Sequence, residues 1–73
     1  MNTKELLGKE VLDAYANRIG KVIDLDFDIK QGIIEHIVVK KGLTRKYEIS
    51  LDKIDEIGDS IVLKIGEDEL QKK

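Results

Sequence analysis

The sequence predicts an all-β fold, a small antiparallel β-barrel of about six short strands. The main evidence is the unbroken alternation of apolar and charged residues over residues 22–29, VIDLDFDI, which is typical of a strand with one buried face. Further short β-branched runs follow, separated by glycine-containing turns every eight to twelve residues. We favour a barrel over a sandwich because closure removes strand edges that a 73-residue chain cannot otherwise protect.

The first strand is predicted over residues 8–13, with its exit turn over residues 14–18. Asn17 is the candidate for a left-handed backbone conformation in that turn, since asparagine tolerates positive φ better than most residues. Gly20 begins the long second strand, at a point where a side chain is expected to clash as the barrel bends.

The second strand is linked by Lys30-Gln31-Gly32 to a third strand over residues 33–41, which predicts a β-hairpin. Four apolar side chains of the second strand are predicted to face the core: Ile23, Leu25, Phe27 and Ile29.

The third strand breaks the alternation, because Ile34 is at an even position whereas Ile37 and Val39 are at odd ones. One extra residue near Glu35-His36 would place all three apolar side chains on the same face. The sequence therefore predicts a β-bulge there.

The remaining elements follow from turn residues and alternation. We predict a turn over residues 42–44, a fourth strand over 45–51, and either a short turn or a single helical turn over 50–53. A type II′ hairpin link at residues 58–59 is predicted before a last strand over 61–65. A longer helix over residues 51–57 is the alternative for that region. The predicted single domain covers residues 1–73, with a core over about 7–65 and a frayed, charged tail over 66–73.

Composition restricts how so small a domain is stabilised. There is no cysteine and a single histidine, so we expect neither a disulfide nor a metal centre, and oligomerisation is the remaining source of extra burial. Thirteen basic and fifteen acidic residues give a net charge of −2, which weighs against nucleic acid as the main partner. No segment resembles a signal peptide or a membrane span, and the expected location is the cytoplasm.

No residue pattern indicates an enzyme or a cofactor. His36 lacks an evident nucleophile and orienting carboxylate, and the glycines form no phosphate-binding motif. The carboxylates of Asp24, Asp26 and Asp28 would lie about 7 Å apart along an extended strand, too far to converge on one cation. We interpret them as a solvated outer face.

Two groups of residues are candidate contact surfaces. The basic residues Lys40, Lys41, Arg45 and Lys46 flank the turn at 42–44 and could contact an anionic partner, or could simply be solvated loop charge. The side chains of Val22, Val38 and Val62 are predicted to lie opposite the core residues of their strands. Together they could form a partner or dimer surface, although ordinary β-propensity also explains them.

Six stretches of turn and core residues form a recognisable pattern: GKEV at 8–11, IGKV at 19–22, DLDFD at 24–28, GII at 32–34, IVV at 37–39 and IGDSIVL at 57–63. This pattern resembles that of the PRC-barrel family, in particular its stand-alone, small, archaeal-type members. Asn17 departs from the family pattern, where a glycine is common, but asparagine can adopt the same backbone conformation.

The resemblance implies a non-enzymatic barrel that presents surfaces to other proteins, with no catalytic residues and no cofactor. It suggests an adaptor that forms a homodimer or binds a SepF-type membrane anchor in cell division. A ribosome-maturation or RNA-processing factor is the alternative, since the family includes a domain of a ribosome maturation factor.

Overall fold

The computed structural model describes residues 2–70 of the chain. A short helix, α1 (Thr3–Leu6), precedes six strands and two short 3₁₀ helices. The strands are β1 (Glu10–Leu12), β2 (Arg18–Asp28), β3 (Ile33–Lys41), β4 (Arg45–Ser50), β5 (Ile54–Ile57) and β6 (Ser60–Leu63). The first 3₁₀ helix (Leu51–Lys53) connects β4 to β5, and the second (Glu67–Glu69) follows β6. The predicted all-β fold with six short strands is therefore confirmed.

All six strands form one sheet in the order β4-β3-β2-β1-β6-β5. Four of its neighbouring pairs are antiparallel, but β1 and β6 are parallel, with Val11 opposite Ile61. The wholly antiparallel arrangement predicted from sequence was wrong at this pair. Tight turns dictate antiparallel pairing within hairpins, whereas no turn links β1 to β6, so the alternation of residues could not reveal their relative direction.

The sheet curls into a half-barrel and is not closed by hydrogen bonds between β4 and β5. The first 3₁₀ helix crosses between these two edge strands and packs against β3. The single helical turn predicted over residues 50–53 is thus confirmed, and the alternative longer helix is replaced by β5.

The concave side of the sheet holds the hydrophobic core. Its buried side chains come from every strand except β5: Val11, Ile19, Val22, Ile37, Val39, Tyr47, Ile49, Ile61 and Leu63. Leu6, Leu25, Ile54 and Leu70 pack against this cluster from its periphery. As the sequence predicted for the third strand, Ile37 and Val39 share the inward face.

The bulge predicted near Glu35-His36 is present, since the register places Asp26 opposite His36 but Phe27 opposite Ile34, leaving Glu35 as the extra residue. A second bulge in the same hairpin was not predicted. Val22 pairs with Val39 and Asp24 pairs with Val38, so Ile23 is extra on β2.

The bulge at Ile23 overturns part of the predicted core. It turns Val22 into the core and leaves Ile23 partly exposed. Phe27 shares the concave side with Ile34, but the β2–β3 hairpin carries it beyond the core, and 59% of its surface is exposed. Ile29 lies in the hairpin turn and is also exposed.

Two turns differ in detail from the prediction. Ala16, and not Asn17, has the positive φ of 65° in the β1–β2 turn. Asn17 instead donates two hydrogen bonds to the Asp13 carboxylate, from its backbone N–H and from its side chain. Gly58-Asp59 does link β5 to β6, but Gly58 lacks the positive φ that a type II′ turn requires.

The predicted frayed tail was wrong for residues 66–70, because the second 3₁₀ helix is held by specific contacts. The backbone N–H of Glu67 donates to Asp13 Oδ2 at 3.0 Å, and Leu70 packs on the core. Residues 71–73 lie outside the described residues. No helix within residues 2–70 has the length and apolar character needed to cross a membrane.

Candidate functional site

The most distinctive surface feature is a cleft beside the projecting end of the β2–β3 hairpin. β4 ends at Ser50, opposite His36, so residues 33–35 of β3 have no paired strand on that side. On the other side Ile33 and Ile34 pair with β2, and Glu35 is the bulge residue. The first 3₁₀ helix lies at this open side instead. The difference in strand length therefore creates the cleft.

The floor of the cleft is apolar. It is formed by four apolar side chains, of which Ile34 is half-buried and the other three are exposed: Phe27, Ile33, Ile34 and Leu51. The cleft has a volume of about 860 Å³ and opens widely to solvent. Apolar side chains from three separate elements thus form one continuous exposed patch, a feature typical of interaction sites.

The cleft also carries two carboxylates. Glu35 of β3 and Asp52 of the first 3₁₀ helix are both among its lining residues, and we call this pair the acidic rim. The Ser50 hydroxyl donates to Asp52 Oδ1, and this hydrogen bond, together with nearby Lys53 and Lys64, keeps the pKa of Asp52 below its usual value despite a smaller opposing effect of burial. Asp52 is therefore ionised at neutral pH, and the rim favours a basic ligand.

The four basic residues of the predicted contact loop lie at the opposite end of β3, and their charges are not equivalent. Lys41 is paired with Glu67 of the second 3₁₀ helix. Lys40 lies between Lys21 of β2 and Lys46 of β4 in the register of the sheet. Sequence analysis missed Lys21 because it lies nineteen residues from Lys40 and only strand pairing brings the two together.

The three candidate valines do not form one surface. Val22 is in the core, and Val38 is only 5% exposed because it lies on the convex side between Asp24 and Glu48 of the flanking strands. Val62 is on the outer face, as predicted, and is half-buried between Leu12 and Glu56. The predicted partner surface of Val22, Val38 and Val62 is therefore wrong for Val22 and Val38.

The three aspartates of β2 have separate local roles. Asp24 Oδ1 accepts from the backbone N–H of Leu25 at 2.8 Å, and Asp28 Oδ1 accepts from that of Lys30 at 2.9 Å in the hairpin turn. Asp26 instead faces His36, with 3.9 Å between Oδ2 and Nδ1. As predicted, the three carboxylates do not converge on one position.

The convex face brings Asp26, His36 and Ser50 into one row across β2, β3 and β4. This order resembles an acid–base–nucleophile series, but the Asp26–His36 separation of 3.9 Å exceeds hydrogen-bonding distance, and the Ser50 hydroxyl donates to Asp52. The geometry is that of two polar side chains facing each other across neighbouring strands, beside a serine whose hydroxyl is engaged with Asp52.

Glu48 also lies near Asp26 and His36, with one ligand-type atom from each residue within 4.8 Å of the others. Sequence reasoning missed this grouping, because the three residues lie on separate strands. It contains one nitrogen donor and two carboxylates on a partly exposed face, and we assign no metal to it.

A network of polar contacts around Asp13 holds the second 3₁₀ helix, which follows β6, in place. Asp13 is only 1% exposed, and its carboxylate accepts four hydrogen bonds, from the backbone N–H groups of Tyr15, Asn17 and Glu67 and from the Asn17 side chain. Burial raises the pKa of Asp13, but these hydrogen bonds together outweigh it and hold that pKa below 3.8.

Glu67 completes the network. The Lys41 ammonium lowers the pKa of Glu67 most; burial opposes this effect, and the hydroxyl of Tyr47, which donates at 3.0 Å, lowers the pKa further. A carboxyl group whose pKa is lower in the folded state stabilises the fold above its ordinary pKa, and this contribution is lost as the pH falls.

We therefore expect the free energy of unfolding to decrease as the pH falls through and below the ordinary values of 4.5 for Glu67 and 3.8 for Asp13. The measurement is urea denaturation at a series of pH values. Glu67→Gln and Lys41→Gln should each flatten the curve below pH 4.5, because each removes one partner of the same ion pair. An unchanged curve in both variants would show that this pair does not titrate with folding.

Comparison with protein-family models matches the PRC-barrel domain over residues 1–70. The chain belongs to the PRC-barrel family. No curated protein matches the sequence. Family membership explains the strongly curved six-stranded sheet of this PRC-barrel chain, and the cleft and its acidic rim are features of this chain's own structure.

Proposed function

We propose that this PRC-barrel protein is a non-enzymatic, cytoplasmic interaction module and that it binds other proteins through the apolar cleft. The observation that carries the proposal is the exposed patch formed by Phe27, Ile33, Ile34 and Leu51 beside the unpaired edge of β3. Exposing these side chains has no benefit for folding, whereas covering them with a partner would bury apolar surface.

The surroundings of the patch define the chemistry of the partner. Residues 33–35 offer a strand edge to an extended segment, and the apolar floor would accept one or two large aliphatic or aromatic side chains. Glu35 and Asp52 on the rim favour lysine or arginine next to those side chains. The expected ligand is therefore an apolar segment flanked by basic residues.

Selection from a library of random twelve-residue peptides tests this specificity directly. We expect the selected peptides to share apolar residues next to lysine or arginine, and to bind Ile33→Asp at least about tenfold more weakly than the wild type, since a charge would replace an apolar contact. Tyr15→Asp is the matched control, because Tyr15 is also exposed but lies outside the cleft. Equal binding to both variants would contradict the proposal.

In the cell, we propose that the module acts as a cell-division adaptor that binds a SepF-type membrane anchor. Family membership and the protein-binding cleft support this role. Affinity purification from a lysate of the source cells, with and without nuclease, tests it. Recovery of a division-ring anchor regardless of nuclease and dependent on Ile33 is the expected result, whereas loss of all partners on nuclease treatment would contradict it.

A ribosome-maturation or RNA-processing role is the second candidate, and the row formed by Lys21, Lys40 and Lys46 is the observation that favours it. RNA bound through these residues should dissociate steeply with rising salt, and the salt dependence should weaken in Lys40→Gln/Lys46→Gln. Binding at the cleft should change little with that double substitution. The net charge of −2 over 73 residues favours a protein over RNA as the partner.

A further inference from the structure

The turn between β3 and β4 combines an exposed apolar side chain with positive charges. Leu43 stands at its tip with 90% of its surface exposed, the highest exposure among the large apolar residues that the structure describes. Basic residues flank it on both sides, with Lys40 and Lys41 before the turn and Arg45 and Lys46 after it. This turn, residues 42–44, is therefore an apolar side chain set between positive charges.

The match between this turn and the cleft has two independent parts. The cleft presents an apolar floor to which an exposed leucine is suited, and its rim carries the carboxylates of Glu35 and Asp52. The turn presents Leu43, and the side chains of Arg45 and Lys46 that follow it are also exposed. Apolar and charged complementarity thus coincide at the same two surfaces.

The two surfaces cannot meet within one molecule. The cleft lies at the first residues of β3 and the turn follows its last residue, and nine residues of strand span about 30 Å. Two copies with their β3 strands antiparallel could bring each turn to the other copy's cleft. A two-fold axis would then generate both contacts at once.

We propose that the cleft binds the Leu43 turn of a second copy of this chain, so that the protein forms a homodimer through two reciprocal turn-in-cleft contacts. This inference rests on the proposed function of the cleft and names its occupant. It uses the same acidic rim and apolar floor that define the chemistry of the expected peptide ligand.

Disulfide capture tests the contact, because the chain contains no cysteine. Ile33→Cys and Leu43→Cys, mixed and oxidised, should give a cross-linked 33–43 dimer in large excess over a control mixture of Ile33→Cys and Tyr15→Cys. Leu43 and Tyr15 are both highly exposed, so the cysteines placed at these two positions are similarly accessible. Equal yields from the two mixtures would overturn the proposal.

Sedimentation equilibrium provides a second measurement. Leu43→Asp should weaken the dimer by tenfold or more without loss of the fold, since Leu43 makes no contribution to the core. Glu35→Lys should also weaken it, and Glu35→Lys combined with Lys46→Glu should restore part of the loss. A dimer unaffected by Leu43→Asp, or a wild-type chain that stays monomeric at millimolar concentration, would overturn the proposal.

The two proposals fail in different ways. If Leu43→Asp leaves the oligomeric state unchanged while Ile33→Asp still abolishes binding of the selected peptides, the self-association is wrong and the interaction module stands. If Ile33→Asp affects neither measurement, the proposed function is wrong as well.

Discussion

Gly20→Ala is expected to destabilise the protein by about 3 kcal/mol or more, at or above the upper end of the usual range for overpacking. A Cβ atom at this position would lie 2.1 Å from the carbonyl oxygen and 2.8 Å from the carbonyl carbon of Lys40. Both atoms belong to the backbone of β3, so no side-chain rotation can relieve the clash. β2 and β3 would have to separate, and we expect the midpoint of thermal unfolding to fall by more than about 10 °C.

Gly58→Ala is the matched control for this substitution. No atom outside its chain neighbours lies within 4 Å of the added Cβ, and the φ angle of Gly58 is not positive. We expect its free energy of unfolding, measured with urea, to stay within about 0.5 kcal/mol of the wild type. Similar losses in both variants would show that glycine matters for chain flexibility and not for the close approach of β2 to β3.

Ile37→Ala is expected to cost about 2–5 kcal/mol of the free energy of unfolding, whereas Phe27→Ala should cost less than about 1 kcal/mol. Ile37 is completely buried in the core, so its truncation would leave a cavity between β2, β3 and β4. Phe27 has the larger side chain but is mostly exposed in the cleft. The free energy of unfolding of the Ile37→Ala and Phe27→Ala variants should be measured by denaturation at low protein concentration, where self-association is weak.

The reverse order, with Phe27→Ala more destabilising than Ile37→Ala, would contradict the placement of Phe27 outside the core. A strong dependence of the Phe27→Ala effect on protein concentration would instead indicate that this side chain is buried in an oligomer. The pair of substitutions therefore separates folding from association.

The period-two pattern predicted the strands because a half-buried sheet imposes it on the sequence. It also located the bulge at Glu35, since Ile34 breaks the alternation visibly. The bulge at Ile23 leaves no such trace, because an isoleucine fits either a core or a bulge position. Val22 was misplaced for this reason, whereas Phe27 lies on the predicted side of the sheet but beyond the end of the core.

The cleft could not be predicted from the sequence. It depends on β4 ending opposite His36 while β3 continues to Ile33, and strand ends are set by tertiary packing as much as by local residues. The basic turn was predicted, because four charges lie within seven residues of one another. What the sequence could not indicate is that an apolar cleft with an acidic rim stands at the other end of the same strand.

The charged segment after residue 65 shows a different limit. GEDELQKK has the composition of a disordered end, and composition alone gives no hint that the Glu67 N–H donates to a carboxylate 54 residues earlier. Long-range hydrogen bonds of this kind depend on where the chain returns, which local patterns do not encode.

The parallel pairing of β1 with β6 has a consequence for how the protein is made. During synthesis, β1 to β4 emerge in order, and each can pair with the strand before it as soon as its hairpin is complete. The other edge of β1 has no partner until β6, fifty residues later, has left the ribosome, since Glu10 pairs with Ser60. The nascent chain therefore carries an open edge on β1 until β6 has emerged, and a chain truncated before β6 should be a target for chaperones or proteases.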